Sequence, residues 1–210
     1  MPPSTAWHAA VCRPSIADAH PRADEGESAM FRPLLSGLLV LGLLPAVAMA
    51  ADNGFWQTPA IAGAGKIHPL PQAAYQPDRN ATYKAVFLLD AAAKKPDEVN
   101  PGLDRVARAV NLYAQAGVPL NHLKFVAIAA QGATPLALDN AHYKAKFGVD
   151  NPNLPLIERL RKDGVDVAVC GQAWAGFHFD YAWKDSRVTL ALSGITTAID
   201  LQQQGYALMP

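Results

Sequence analysis

The run Tyr83-Lys-Ala-Val-Phe-Leu-Leu89 is apolar almost throughout and stops at Asp90. A strand with one wet face alternates apolar and polar residues, so a near-continuous run of strand length predicts a strand covered on both faces. Leu123 to Ala129 repeats the pattern, Asp166 to Val169 is a shorter third strand, Val188 to Leu192 a fourth, and Tyr206 to Met209 a last one at the carboxyl end. Between the first two strands, Asn100-Pro101 supplies an N-cap and a first-turn proline. Leu103, Val106, Ala107, Val110, Tyr113 and Ala114 then recur at helical spacing up to the stop at Gly117 and Pro119. Gln131 to Thr134 predicts a turn into a short helix around Leu136 to Asp139. Asn151-Pro152 predicts the cap of a helix that buries Leu154, Ile157 and Leu160 and ends at Gly164, and a final helix runs from Gly194 to Gln204. Strands alternating with helices in this way predict a single α/β domain over residues 82–210, with a mostly parallel sheet and helices on both faces.

The chain ahead of this domain reads as three segments. Met30 to Ala50 has a basic residue at Arg32, an apolar stretch from Leu34 to Leu44 and small residues at Ala48 and Ala50. That layout is a secretory signal peptide cleaved after Ala50, because the stretch is shorter than the roughly 20 residues a membrane-crossing helix needs. The expected location is therefore the periplasm, without stable membrane insertion after cleavage. Residues 1–29 mix Pro, His, Arg and acidic residues without periodicity, and read as an over-called start with translation beginning at Met30, or as a disordered leader. Residues 51–81 carry Pro59, Pro69, Pro71 and Pro77 and a Gly-Ala-Gly turn at 63–65, which predicts an extended arm. Trp56, Ile61 and Ile67 are the residues able to lay that arm on the domain or on a neighbouring subunit, the other reading being a mobile tail.

Basic and acidic residues balance at 18 each with no block of like charge, so neither nucleic acid nor an anionic membrane is favoured as a partner. GxGxxG and GxxxxGK[ST] phosphate loops and the Gly-x-Ser-x-Gly elbow are missing from the sequence. His68, His122, His142 and His178 do not pair at zinc-site spacing. No cofactor and no metal is expected.

In open parallel sheets chemistry gathers beyond the carboxyl ends of the strands, where Asp90, Gln131 and Cys170 all fall. Cys170 stands directly before Gly171, and a helix beginning near Gln172 would stabilise a thiolate. Position alone leaves two readings open, a reactive thiol and a buried filler, since free cysteine packs as a small hydrophobe. His178 and Asp180 are near enough in sequence to be considered as base or ligand. Phe177, Phe179, Tyr181 and Trp183 alternate around them, as in an edge strand or a flap over the thiol.

The run Val-Cys-Gly-Gln-Ala at 169–173, Asn151-Pro-Asn153, Ser193-Gly-Ile-Thr-Thr197 and the ending Leu201-Gln-Gln-Gln-Gly-Tyr-Ala-Leu-Met-Pro210 together resemble DsrE/DsrF-like proteins. The resemblance covers about Thr82 to Pro210. It implies a compact α/β sandwich assembling into trimers or hexamers, and a sulfur-relay role in which Cys170 accepts sulfur as a persulfide. Gly171 would give donor and acceptor proteins room to approach, and Gln172 or nearby amides would hydrogen-bond the anion. At most this is a sulfurtransferase-like activity. The competing reading is a non-catalytic small-ligand-binding or assembly module with a buried structural cysteine.

Overall fold

The computed structural model describes residues 54–210; the expected leader, signal peptide and Cys12 lie outside the described residues. The elements run β1 (Tyr83–Leu89), α1 (Pro101–Gln115), β2 (Leu123–Ala129), α2 (Asn140–Phe147), α3 (Leu154–Lys162), β3 (Asp166–Cys170), α4 (Gly171–Gly176), β4 (Thr189–Ala191), α5 (Gly194–Gln203) and β5 (Ala207–Met209). All five strands are parallel, in the order β4-β3-β2-β1-β5. Tyr83 to Leu89 lie opposite Leu123 to Ala129, Ala129 lies opposite Val169, and Cys170 opposite Ala191.

That order dictates where the helices go. From β1 to β4 each crossover steps the same way across the sheet, and right-handed crossovers stepping one way stack their helices on one face. Alternate strand residues Ala85, Phe87, Leu89, Phe125, Ala127, Ala129, Val167 and Val169 accordingly pack with Leu103, Val106, Val110, Ile157 and Leu160 in the main core. The last crossover runs back over the whole sheet from β4 to β5, so α5 falls on the opposite face. There Val86, Ile128 and Ala168 are covered with help from Leu201 and Tyr206, in a much smaller cluster. The predicted parallel sheet with helices on both faces is therefore present, with unequal cover.

Several local expectations are met for the expected reasons. The Asn100 side chain accepts from the amides of Gly102 and Leu103 at 2.9 and 3.3 Å, and Pro101 follows as the first helical residue. Asn151 has a different task. The helix after it is preceded by Asn153, and buried Asn151 donates instead to the carbonyls of Leu136 and Leu138 at 3.1 and 2.7 Å. Asn151 Oδ1 accepts from Asn153, whose own side-chain oxygen accepts from Asn100 N at 2.8 Å. The short helix expected around Leu136 to Asp139 is a 3-10 stretch over Gln131–Ala137, and α2 follows as a separate helix capped by Asp139. Only Tyr143 of α2 is buried, so its sequence carries almost no amphipathic signal.

Residues 54–68 of the proline-rich arm form a folded hook rather than an extended strap. Gln57 and Ile67 pair in an antiparallel bridge, and Ile61, Ala64 and Ile67 are buried, while Trp56 stays half exposed. Buried Asn111 of α1 holds the hook, accepting from Ala60 N and Ile61 N at 3.0 and 2.8 Å and donating to the carbonyls of Ala64 and Gly65 at 2.9 and 3.0 Å. Gly65 is required there: its φ is +60°, and a Cβ would lie 2.2 Å from Arg108 N.

The aromatic run after α4 is not an edge strand. His178 has φ +56°, Tyr181–Trp183 is a 3-10 turn, Phe179 is buried and Tyr181 is exposed. Fully buried Trp174 donates its Nε1 hydrogen to Asp180 O at 3.2 Å and packs edge-on against Phe179 at 5.1 Å. Those two contacts curl the chain back on itself and break the two-residue alternation.

Candidate functional site

Cys170 ends β3 and is the N-cap of α4, so its sulfur faces the free amides of that helix. Ala173 N donates to Sγ at 3.4 Å. Alternation along β3 turns the Cys170 side chain to the α5 face, where a Cβ at Gly194 would lie 3.7 Å from Cys170 Cβ. The start of α5 thus sits over the thiol. Burial pushes the Cys170 thiol up, but the amides of Gly194, Ala173 and Gln172 and the Ser193 side chain outweigh it and hold the thiol below its ordinary value. The residue is 7 % exposed.

Of the two alternatives expected at Gln172, side chain or nearby amides, the structure favours the amides, and Gly171 has a packing task as well. Gly171 is buried, and a Cβ there would meet the Ala191 and Leu192 carbonyls at 2.8 and 3.2 Å. Its small size is needed for close packing of β4 against the thiol turn, whatever room it leaves for a reactant. Gln172 contributes through its backbone amide, while its side chain donates to Leu192 O at 3.2 Å. His178 and Asp180 lie beyond the far end of α4 and are exposed. His178 lines a cavity with His142, Lys146 and Trp183, and Asp180 accepts from Ala182 N at 2.9 Å as the cap of the following turn. Neither is among the groups acting on the sulfur. Ser193 and Gly194 are; the sequence marked them only as part of the Ser193-Gly-Ile-Thr-Thr197 run shared with DsrE/DsrF-like proteins, at the join of a strand and a helix, and gave them no role at the thiol. Which strand end that join covers follows from the crossover of α5 over the sheet, a tertiary fact.

An all-parallel α/β sheet holding a thiol under the starts of two helices defines a thiol-bearing α/β protein. The chain belongs to the DsrE/DsrF-like family, whose profile matches residues 84–210. Among solved structures it is similar to a protein of unknown function, MTH1491, from Methanobacterium thermoautotrophicum, at 16% identity and a TM-score of 0.43, covering 60% of this chain and 97% of that one. No curated protein matches.

Proposed function

We propose that this protein is an exported, oligomeric sulfur carrier that holds sulfane sulfur as a persulfide on Cys170. The observation that carries the reading is the place of Cys170 Sγ at the start of α4, where it accepts from Ala173 N at 3.4 Å beneath the Ser193–Gly194 start of α5, surroundings that hold the thiol below its ordinary value. A cysteine that merely fills space needs no such donors, whereas a thiolate or persulfide anion is stabilised by them. The Cys170 thiolate attacks the outer sulfur of a donor persulfide; the new S–S bond forms as the donor's breaks, and the donor leaves as a thiolate. An acceptor thiolate then attacks the carried sulfur and releases Cys170 again as the thiolate, so no net oxidant is required. Export rests on the Met30 to Ala50 segment. Assembly is supported by exposed Leu190, Leu192, Ile195 and Ile199 on β4, its following turn and α5, beside the thinly covered face of the sheet.

The 7 % exposure of Cys170 favours a second reading, a binding or assembly module with a structural cysteine. Intact mass measurement after incubation with a sulfane donor separates the two. The carrier gains the mass of one sulfur and Cys170→Ala gains none. Unlabelled wild type under several donors, with a thiol that alkylates only on unfolding, overturns the carrier reading.

A further inference from the structure

On the main-core side of the molecule, away from the Cys170 sulfur, two cavities of about 330 and 380 Å³ adjoin, sharing Lys146 and Phe177 in their walls. The first is also lined by Lys94 and Lys95, the second by His142 and His178. No aspartate or glutamate lines either, in a chain whose basic and acidic residues balance overall. Asp97 and Glu98 belong to the loop that carries the lysines but not to the lining, and Glu98 pairs with Lys95 at 3.9 Å. Asp139 likewise stays out of the lining and accepts from His142 Nδ1 at 2.8 Å.

The walls are aromatic as well as basic. The Lys146 ammonium sits 5.3 Å from the Phe179 ring centre and 5.9 Å from that of Phe147, and His142 stacks on Trp183 at 4.8 Å. The cavities are also held in shape. Tyr143 Oη donates to Pro96 O at 2.8 Å, tying the lysine loop to α2, and Asn100 N donates to Asn153 Oδ1 behind it at 2.8 Å. At Gly132 a Cβ would lie 3.0 Å from Ala92 N, so the loop rests on the backbone of the turn after β2. Asp139 N donates to Trp183 O at 2.8 Å, fixing the aromatic turn against α2. Such volumes fall at the low end for small-molecule sites, which run from roughly 300 Å³ upward. Preformed walls lower the cost of binding.

We propose that these joined cavities bind a small organic anion with a flat ring, its ring against Phe177 and Trp183 and its charge beside Lys146. This site is independent of the thiol and does not rest on sulfur transfer. The test titrates the full chain with 2-naphthoate and with the neutral 2-naphthamide, read by calorimetry. Naphthoate is expected to bind one to one and about tenfold or more tighter than the amide, the difference shrinking in high salt. Lys146→Met, an exposed position, should lower naphthoate affinity about tenfold, and Lys94→Met should lower it as well. Cys170→Ala should leave it unchanged. Equal affinity for acid and amide, undiminished binding in both lysine variants, or no naphthoate binding by the wild type would each overturn the proposal.

Discussion

At Cys170 two opposing effects meet, burial that disfavours the thiolate and donors that favour it, and the donors prevail. Ser193→Ala removes one of them, so the thiol should ionise at higher pH, seen as an upward shift in the midpoint of thiolate ultraviolet absorbance. The sign follows from linkage: a donor that stabilises the anion lowers the pKa, and its loss raises it. Sulfur uptake by the wild type should accordingly fade as pH drops through the thiol's midpoint, and in Ser193→Ala it should fade at a higher pH. Gly171→Ala places a methyl carbon 2.8 Å from Ala191 O, and the shift needed to relieve it should cost about 1–3 kcal/mol in urea unfolding. At this scale the sequence was legible for Cys170, whose strand-end position is a local pattern. It was misleading for His178 and Asp180, because closeness along the chain was taken for closeness in space, and α4 carries them off to the other side.

Among the elements, the hook over residues 54–68 shows how one polar side chain can organise a proline-rich segment. Four hydrogen bonds from Asn111 satisfy backbone groups that proline and glycine leave without a regular ladder. Asn111→Ala leaves those buried groups unpaired and should cost about 3 kcal/mol, with faster amide hydrogen exchange at Ile61 as the local sign. Polar burial of this kind hides from a hydrophobic-pattern reading, in which Asn111 is only a polar residue inside an amphipathic helix. Asn151 was missed in the same way, since its Asn-Pro pair matches a helix-cap signature while its side chain bridges Leu136 and Leu138.

For the whole molecule, the winding of the sheet has an energetic consequence. Three crossovers' worth of chain builds one thick layer, and α5, in the fourth, alone must cover the other face. Ile195 and Leu192 are each 73 % exposed, and Ile199 and Leu190 are exposed as well. This is the face that the proposed assembly would bury. Light scattering should find an oligomer for the wild type, and Ile195→Lys should shift it to a smaller species while leaving the monomer fold intact by circular dichroism. An unchanged mass would remove α5 from the interface.

The sequence by itself determined the strands, the principal helices and the parallel sheet, because those depend on periodicity and caps that act within a few residues. It also placed one cysteine at a strand end, where such sheets gather chemistry. Only the tertiary structure decided what surrounds that sulfur. The reversal of direction after β4 sends α5 to the second face and sets Ser193 and Gly194 over Cys170, while the packing of Trp174 and Phe179 turns His178 away into a separate basic cleft. Neither outcome is written in local pattern, since each depends on which face a crossover takes and on which side chains find room in the core.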